Sequence, residues 1–110
     1  MIVGVVGSRT GMSKQKVFET LDNEIFIEAI ITGGAPGVDS FAEEWAAKKR
    51  IKCIVIRPIN PSNKLDYLFR NVEIISMSDK VIAFWNGASR GTKFVIDYAK
   101  ARLKDLEIVT

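Results

Sequence analysis

The segment Ile30-Ile31-Thr32-Gly33-Gly34-Ala35-Pro36-Gly37-Val38-Asp39 gives the clearest indication of the architecture of this 110-residue chain. The amphipathic run from Ser40 to Arg50 follows it directly. A short apolar strand is predicted to end at Thr32, after which three glycines and a proline turn the chain. A helix then opens near Gly37. A backbone with few Cβ atoms in front of a helix N-terminus favours an anion, because unpaired N–H groups and the helix dipole both attract negative charge. The stretch therefore predicts a phosphate-binding turn.

The composition describes an ordinary globular protein, with 47% hydrophobic and 26% charged residues, and predicts one domain over residues 1–110. The net charge of +3 is compatible with phosphate or nucleic-acid ligands but does not require them, because the basic residues are spread along the chain. No apolar run approaches the length of a membrane span, so we expect no membrane contact and a cytoplasmic location.

The scarcity of histidine and cysteine excludes several kinds of chemistry. The chain has no histidine, which removes Ser-His-Asp and Cys-His catalysis and the usual histidine-containing metal sites. The one cysteine, Cys53, permits no internal disulfide and no cysteine-based zinc cluster, and its apolar setting predicts a small buried residue. No metal and no cofactor are predicted.

Apolar strands alternate with amphipathic helices along the whole chain. Trp45 falls on the apolar stripe of the second helix, so we predict a core residue and not a ligand platform. The alternation implies right-handed βαβ crossovers and a single Rossmann-like, three-layer α/β/α domain with a five-stranded parallel sheet. The predicted strands are Ile2 to Val6, Glu28 to Thr32, Lys52 to Arg57, Lys80 to Trp85 and Leu106 to Val109. The predicted helices are Lys14 to Asn23, the helix that opens near Gly37 and includes the run from Ser40 to Arg50, Lys64 to Met77, and Lys93 to Lys104.

Three glycine-bearing turns follow predicted strands. They are Gly7-Ser8-Arg9, the segment from Gly33 to Gly37, and the segment from Trp85 to Thr92. In a parallel α/β sheet the carboxyl ends of the strands meet at one edge, where ligands bind. We therefore expect one shared ligand site, although neither a Walker A sequence nor G-x-G-x-x-G spacing occurs.

The same turns carry a family resemblance. Gly7-Ser8-Arg9, Gly33 to Asp39, Arg70-Asn71 and the phrase Phe84-Trp85-Asn86-Gly87-Ala88-Ser89-Arg90-Gly91-Thr92 occur in that order over nearly the whole chain. They resemble the small YspA-type proteins of the SLOG superfamily, which also contains the DNA-processing DprA/Smf proteins and the LOG phosphoribohydrolases. The resemblance implies a Rossmann-like fold that binds or senses a nucleotide, or an ADP-ribose-like compound, through glycine-rich loops.

Carried over by position, the resemblance assigns roles to individual residues. The phosphate and ribose would contact the backbone of the Gly33 to Gly37 turn and of the 89–92 turn, with Ser8 and Arg9 closing the site from the first loop. Asp39 is either a first-turn carboxylate favoured by the helix dipole or an acceptor for a ribose hydroxyl. The full predicted ligand set is Gly7, Ser8, Arg9, Gly33, Gly34, Ala35, Gly37, Asp39, Asn71, Trp85, Ser89, Arg90, Gly91 and Thr92.

Two members of this set also have structural explanations. Asn71, next to Arg70, points its amide into the crevice or lies on the surface of the third helix. Trp85 stacks on a base or forms a buried edge of the core.

Catalysis is the least defined prediction. LOG hydrolases carry a glutamate three residues after their Gly-Thr pair, and here that position is Val95. Asp39 is then the main acid/base candidate, and cleavage of the base from a nucleoside 5′-monophosphate is the alternative function. A third hypothesis is binding of single-stranded DNA, based on the DprA relatives and on basic residues such as Lys14, Lys16, Arg90 and Lys93. Exposed apolar helix faces would also allow a homodimer.

Overall fold

A five-stranded parallel sheet forms the centre of the computed structural model, which describes residues 1–110. The strand order is β3-β2-β1-β4-β5, so the order reverses between β1 and β4. This confirms the predicted Rossmann-like architecture. The strands are β1 (Ile2–Gly7), β2 (Ala29–Thr32), β3 (Lys52–Val55), β4 (Lys80–Phe84) and β5 (Asp105–Val109), and the helices are α1 (Lys14–Asp22), α2 (Val38–Lys49), α3 (Lys64–Met77) and α4 (Arg90–Ala101).

Alternating side chains of the strands fill two separate cores, one on each face of the sheet. Val3 and Val5 of β1 pack with α1 and α2, whereas Val6 packs with α3 and α4. Because successive side chains of a strand point to opposite faces, short all-apolar strands supply both layers. Trp45 lies in the first core with only 4% of its surface exposed, which confirms its predicted role. Its Nε1–H donates to Asp22 Oδ1 at 2.9 Å.

Side-chain caps define where three of the helices begin. The hydroxyl of Ser13 accepts from the N–H of Lys16 and caps the start of α1. Asn63 caps α3 in the same way. The hydroxyl of Ser89 accepts from the N–H of Thr92, so α4 begins at Arg90 and not at the predicted Lys93. None of the helices is both long and apolar enough to cross a membrane.

Several predicted ends differ from the structure. Strand β3 stops at Val55 and not at Arg57, because Arg57 turns toward the glycine turn after β2, where its Nη1 donates to Gly34 O. Helix α4 ends at Ala101 and not at the predicted Lys104, and Leu103, which lies beyond this end, is 92% exposed. Cys53 is only half-buried, because β3 is an edge strand of the sheet.

Apolar spacing predicts an inner face of α3 that contains Leu65, Leu68, Phe69, Val72 and Ile75, and this prediction is only partly right. Ile75 is buried, but Leu65 and Phe69 are 58% and 66% exposed. The other buried residues of the helix are Arg70, Asn71 and Ile74. The first half of α3 borders a crevice at the edge of the sheet, so polar side chains face inward there.

Candidate functional site

A crevice of about 500 Å³ lies at the carboxyl edge of the sheet, where the strand order reverses between β1 and β4. This is the position at which open α/β sheets bind ligands. The loops after β1, β2 and β4 and the first half of α3 line it. The lining residues are Val6, Gly7, Arg9, Thr10, Ala35, Asp39, Tyr67, Leu68, Arg70, Asn71, Ile74, Asn86, Ala88, Ser89, Gly91, Thr92 and Val95.

The loop after β1 joins the other loops together. A Cβ at Gly7 would overlap the side chain of Val38, so glycine allows the start of α2 to pack against β1. Ser8 is buried, its N–H donates to Phe84 O, and its hydroxyl accepts from the N–H of Asn86. Ser8 therefore connects β1 to the loop after β4 and does not line the crevice. Arg9 is exposed and does line it.

The glycine turn after β2 lies against the crevice with only part of its backbone. Gly37 has φ of 82°, and a Cβ there would overlap the carbonyl of Arg9, so the turn requires glycine at this position. Gly37 does not line the crevice, and Gly33 and Gly34 line a smaller cavity beside it. From this turn only Ala35 borders the crevice itself.

Asp39 is a buried carboxylate that faces the crevice, with 5% of its surface exposed. Its Oδ2 accepts from the N–H of Ala35 at 3.2 Å. Burial raises the pKa of the Asp39 carboxyl from 3.8 to about 6, against the opposing effects of the Ala35 hydrogen bond and the positive charge of Arg70. Desolvation therefore outweighs these favourable contacts, and an additional hydrogen-bond donor from a ligand would stabilise the ionised carboxylate.

The N-terminus of α4 forms the opposite wall. The side chain of Asn86 accepts from the N–H groups of Ala88 and Ser89, both at 2.9 Å, and fixes the approach to the helix. With the Thr92 N–H bonded to Ser89, the N–H groups of Arg90 and Gly91 remain without an intrahelical acceptor. A Cβ at Gly91 would meet no atom within 4 Å, so the backbone there is open to a ligand. The first turn contains no acidic residue.

Arg70 and Asn71 form a buried polar pair on α3. Arg70 Nε donates to Asn71 Oδ1 at 2.8 Å, and Arg70 Nη1 donates to Gly33 O at 2.7 Å. A Cβ at Gly33 would overlap this guanidinium, which explains the glycine. Asn71 is 8% exposed and lines the crevice, so the surface interpretation is wrong and its amide lies at the site.

Trp85 lies beside the crevice and does not line it. Its Nε1–H donates to Ser89 O at 3.0 Å, and its ring packs against the core under α3 and α4. Burial of the ring edge is therefore the better interpretation, and Trp85 positions the start of α4. Arg90 is exposed in the first turn of that helix and also lies outside the crevice lining.

The crevice is lined by a single carboxylate, Asp39. Val95, at the position where LOG hydrolases carry their glutamate, is 1% exposed and belongs to the core behind the crevice.

The predicted ligand set omits four polar residues that line the crevice, which are Thr10, Tyr67, Arg70 and Asn86. The Arg70-Asn71 dipeptide was noticed only through the family resemblance. The sequence does contain a signal for Arg70, because this charged residue lies on the same helical face as the apolar Ile74. Such a pattern is expected where a buried polar side chain forms the wall of a site.

Comparisons with known proteins agree with this fold. The family model of YspA, cpYpsA-related SLOG proteins matches residues 1–59. A comparison with curated proteins finds no match.

Two solved structures share the fold over 98% of this chain. One is DNA processing protein A (DprA) from Streptococcus pneumoniae, with a TM-score of 0.78 and 22% identity, of which the chain covers 50%. The other is DprA from Helicobacter pylori, described for its single-stranded DNA binding mode, with a TM-score of 0.78, 25% identity and 64% of its chain covered. The chain thus spans half to about two thirds of these proteins.

Proposed function

We propose that this chain, which belongs to the YspA, cpYpsA-related SLOG family, binds a nucleotide with its phosphate at the N-terminus of α4 and its ribose at Asp39. One observation carries the proposal: a single crevice combines an acid-free helix N-terminus with a buried carboxylate. An anion and a hydroxyl donor are the groups that these two walls accept.

The charges decide which helix receives the phosphate. Both α2 and α4 direct N-termini toward the site, and either dipole would attract an anion. The first turn of α2 contains Asp39, which repels a phosphate, and its Val38 N–H donates to Ser8 O. The first turn of α4 has no acid and has the open backbone of Gly91. We therefore place the phosphate at the start of α4, within the predicted 89–92 turn, and not at the predicted glycine turn after β2.

Asp39 accepts hydrogen bonds from the ribose hydroxyls. Its ionised form is costly because the group is buried, and it has few protein donors. Two hydroxyl donors would supply the missing hydrogen bonds and favour ionisation. The apolar side chains of Val6, Leu68 and Ile74 cover the remaining wall for the sugar and base, and the volume of about 500 Å³ is within the usual range for small-molecule sites.

Gly91 provides the decisive test of the phosphate position. We expect at least one of the four nucleoside 5′-monophosphates to bind the wild type in isothermal titration calorimetry. Gly91→Ala adds a methyl group in open space and is expected to bind within about threefold of the wild type, whereas Gly91→Asp places a carboxylate at the phosphate position and lowers the affinity more than about twentyfold.

Folding does not confound this comparison, because replacing glycine in a helix with alanine gains about 1 kcal/mol and an acid is favourable in a first turn. Both variants should unfold at or above the wild-type temperature. Absence of wild-type binding across the panel, or wild-type affinity in Gly91→Asp, would refute the proposal.

The ribose position has a separate test. We expect the wild type to prefer ribonucleotides to their 2′,3′-dideoxy analogues by about tenfold, because the analogue leaves the buried carboxylate unpaired. Asp39→Asn should reduce this preference. Equal preference in the wild type and the variant would place the sugar elsewhere.

Single-stranded nucleic acid is a second candidate ligand, favoured by the likeness to DprA from Helicobacter pylori. Binding of a labelled oligonucleotide should weaken steeply with salt, because released counterions drive phosphate contacts. Salt-insensitive or undetectable binding would exclude this candidate and leave the nucleotide.

A further inference from the structure

A second cavity of about 240 Å³ adjoins the crevice and has a different charge character. The two spaces share Arg9, Ala35, Tyr67 and Arg70 as walls, so a ligand can extend from one to the other. The second cavity adds Arg57, from the loop after β3. No carboxylate lines it.

Three guanidinium groups face this space, and none of Arg9, Arg57 and Arg70 forms an ion pair with a carboxylate of the chain. Burial lowers the pKa of Arg70, and the negative charge of Asp39 opposes this effect. The positive charges of Arg9 and Arg57 lower the pKa of Arg70 by smaller amounts, so the three groups lie within electrostatic reach of one another. Like charges at this range repel, and a bound anion removes the cost.

Backbone contacts hold two of these groups in place. Arg57 Nη1 donates to Gly34 O at 3.1 Å, and Arg70 Nη1 donates to Gly33 O and, at 3.4 Å, to Ile56 O. Each guanidinium has five N–H donors, and most of those of Arg57 have no protein acceptor. A fixed arginine with free donors is the usual partner of a phosphate.

The location of Asp39 relates the two cavities. Asp39 borders the crevice, and Ala35, its hydrogen-bond donor, borders both spaces. A ribose that contacts Asp39 with its 5′-phosphate at α4 directs its 3′ side away from α4. A phosphate on the 3′ oxygen would then lie toward the three arginines, and the 2′-hydroxyl would remain for Asp39.

We propose that the three-arginine cavity binds a second phosphate, on the 3′ side of the same ribose, so that the ligand is a nucleotide phosphorylated at both its 5′ and 3′ positions. This inference rests on the proposed function and adds the position of the second anion. A free 3′,5′-bisphosphate and an internal phosphodiester of a short oligonucleotide share this chemistry.

The test compares three ligands of one base with three proteins by calorimetry. The ligands are the nucleoside 5′-monophosphate, the 5′-diphosphate and the 3′,5′-bisphosphate, and the proteins are the wild type, Arg57→Gln and Arg102→Gln. Arg102 is an exposed arginine that caps the C-terminal end of α4, which points away from the site, and serves as the matched control.

We expect the wild type to bind the bisphosphate about tenfold more tightly than the other two ligands, since one charge-assisted contact is worth about this factor. Arg57→Gln should remove most of that advantage and change monophosphate binding less than about twofold. Arg102→Gln should change neither. A 5′-phosphorylated dinucleotide distinguishes a free bisphosphate from an internal phosphodiester as the ligand. It binds as tightly as the bisphosphate only if the cavity admits a diester.

The outcomes separate the two proposals. If none of the ligands binds the wild type, the proposed function fails and this inference fails with it. If the ligands bind but the bisphosphate has no advantage over the diphosphate, or Arg57→Gln weakens all of them equally, only the second phosphate position is refuted.

Discussion

The buried carboxylate of Asp39 makes the stability of the protein depend on pH. Its pKa is raised from 3.8 to about 6, so the folded state binds this proton more tightly than the unfolded chain. The stabilisation from the bound proton is complete below pH 3.8 and is lost as the pH rises through about 6. The shift corresponds to about 3 kcal/mol of the free energy of unfolding. Asp39→Asn abolishes this dependence and keeps an oxygen that accepts from Ala35.

Urea unfolding of the ligand-free protein between pH 4 and pH 8 measures the effect. We expect the wild type to lose stability relative to Asp39→Asn as the pH rises. The difference between their free energies of unfolding should change by about 2 to 3 kcal/mol from the acid to the neutral end, in favour of Asp39→Asn. Asp105→Asn, which removes an exposed carboxylate on β5, controls for the loss of one negative charge. If the stability of Asp39→Asn relative to the wild type stays constant with pH, the pKa of Asp39 is not raised in the folded state, and Arg70 compensates the buried charge.

Two further predictions concern the glycine turn and catalysis. Gly33→Ala should lower the free energy of unfolding by about 1 to 3 kcal/mol in urea titrations, because its Cβ overlaps the Arg70 guanidinium, whereas Gly91→Ala should not lower it. Equal effects of the two substitutions would contradict the assignment of Arg70 as a fixed wall. Incubation with nucleoside 5′-monophosphates should release no free base in chromatography, because the apolar Val95 occupies the position of the LOG glutamate and Asp39 is the one carboxylate that lines the crevice. Release of base that stops in Asp39→Asn would instead establish an N-glycosidase.

The strands and their common edge were predictable because their signals are local. Continuous apolar runs such as Ile2–Gly7 indicate strands covered on both faces, and the βαβ rule then gives the parallel sheet. Once the sheet is parallel, the turns after β1, β2 and β4 must share one edge. The location of the site therefore followed from short-range patterns and one topological rule.

The polar walls of the site were not predictable in this way. Apolar spacing assigns the inner face of a helix by hydrophobicity, and in α3 this selected Leu65 and Phe69. The inward face of α3 contains Arg70 because the guanidinium of this residue donates to the Gly33 carbonyl, a contact between residues 37 positions apart in the sequence. Similarly, the Ser89 cap places Gly91 inside α4. From the sequence alone a glycine-containing segment predicts a loop, so the start of this helix was not predictable. The glycine turn after β2 was predictable as a wall of the site. The choice between the N-termini of α2 and α4 for the proposed phosphate position, however, required the location of the Asp39 carboxylate.

The separate positions of the two tryptophans provide an intrinsic optical readout. Trp45 is buried in the core between α1, α2 and the sheet, so its fluorescence should change chiefly when the protein unfolds. Trp85 is hydrogen-bonded to Ser89 at the start of α4, beside the proposed phosphate position. In a Trp45→Phe protein the remaining indole would report ligand binding at α4 without a label, and a red or blue shift of its emission would follow the occupancy of that helix end.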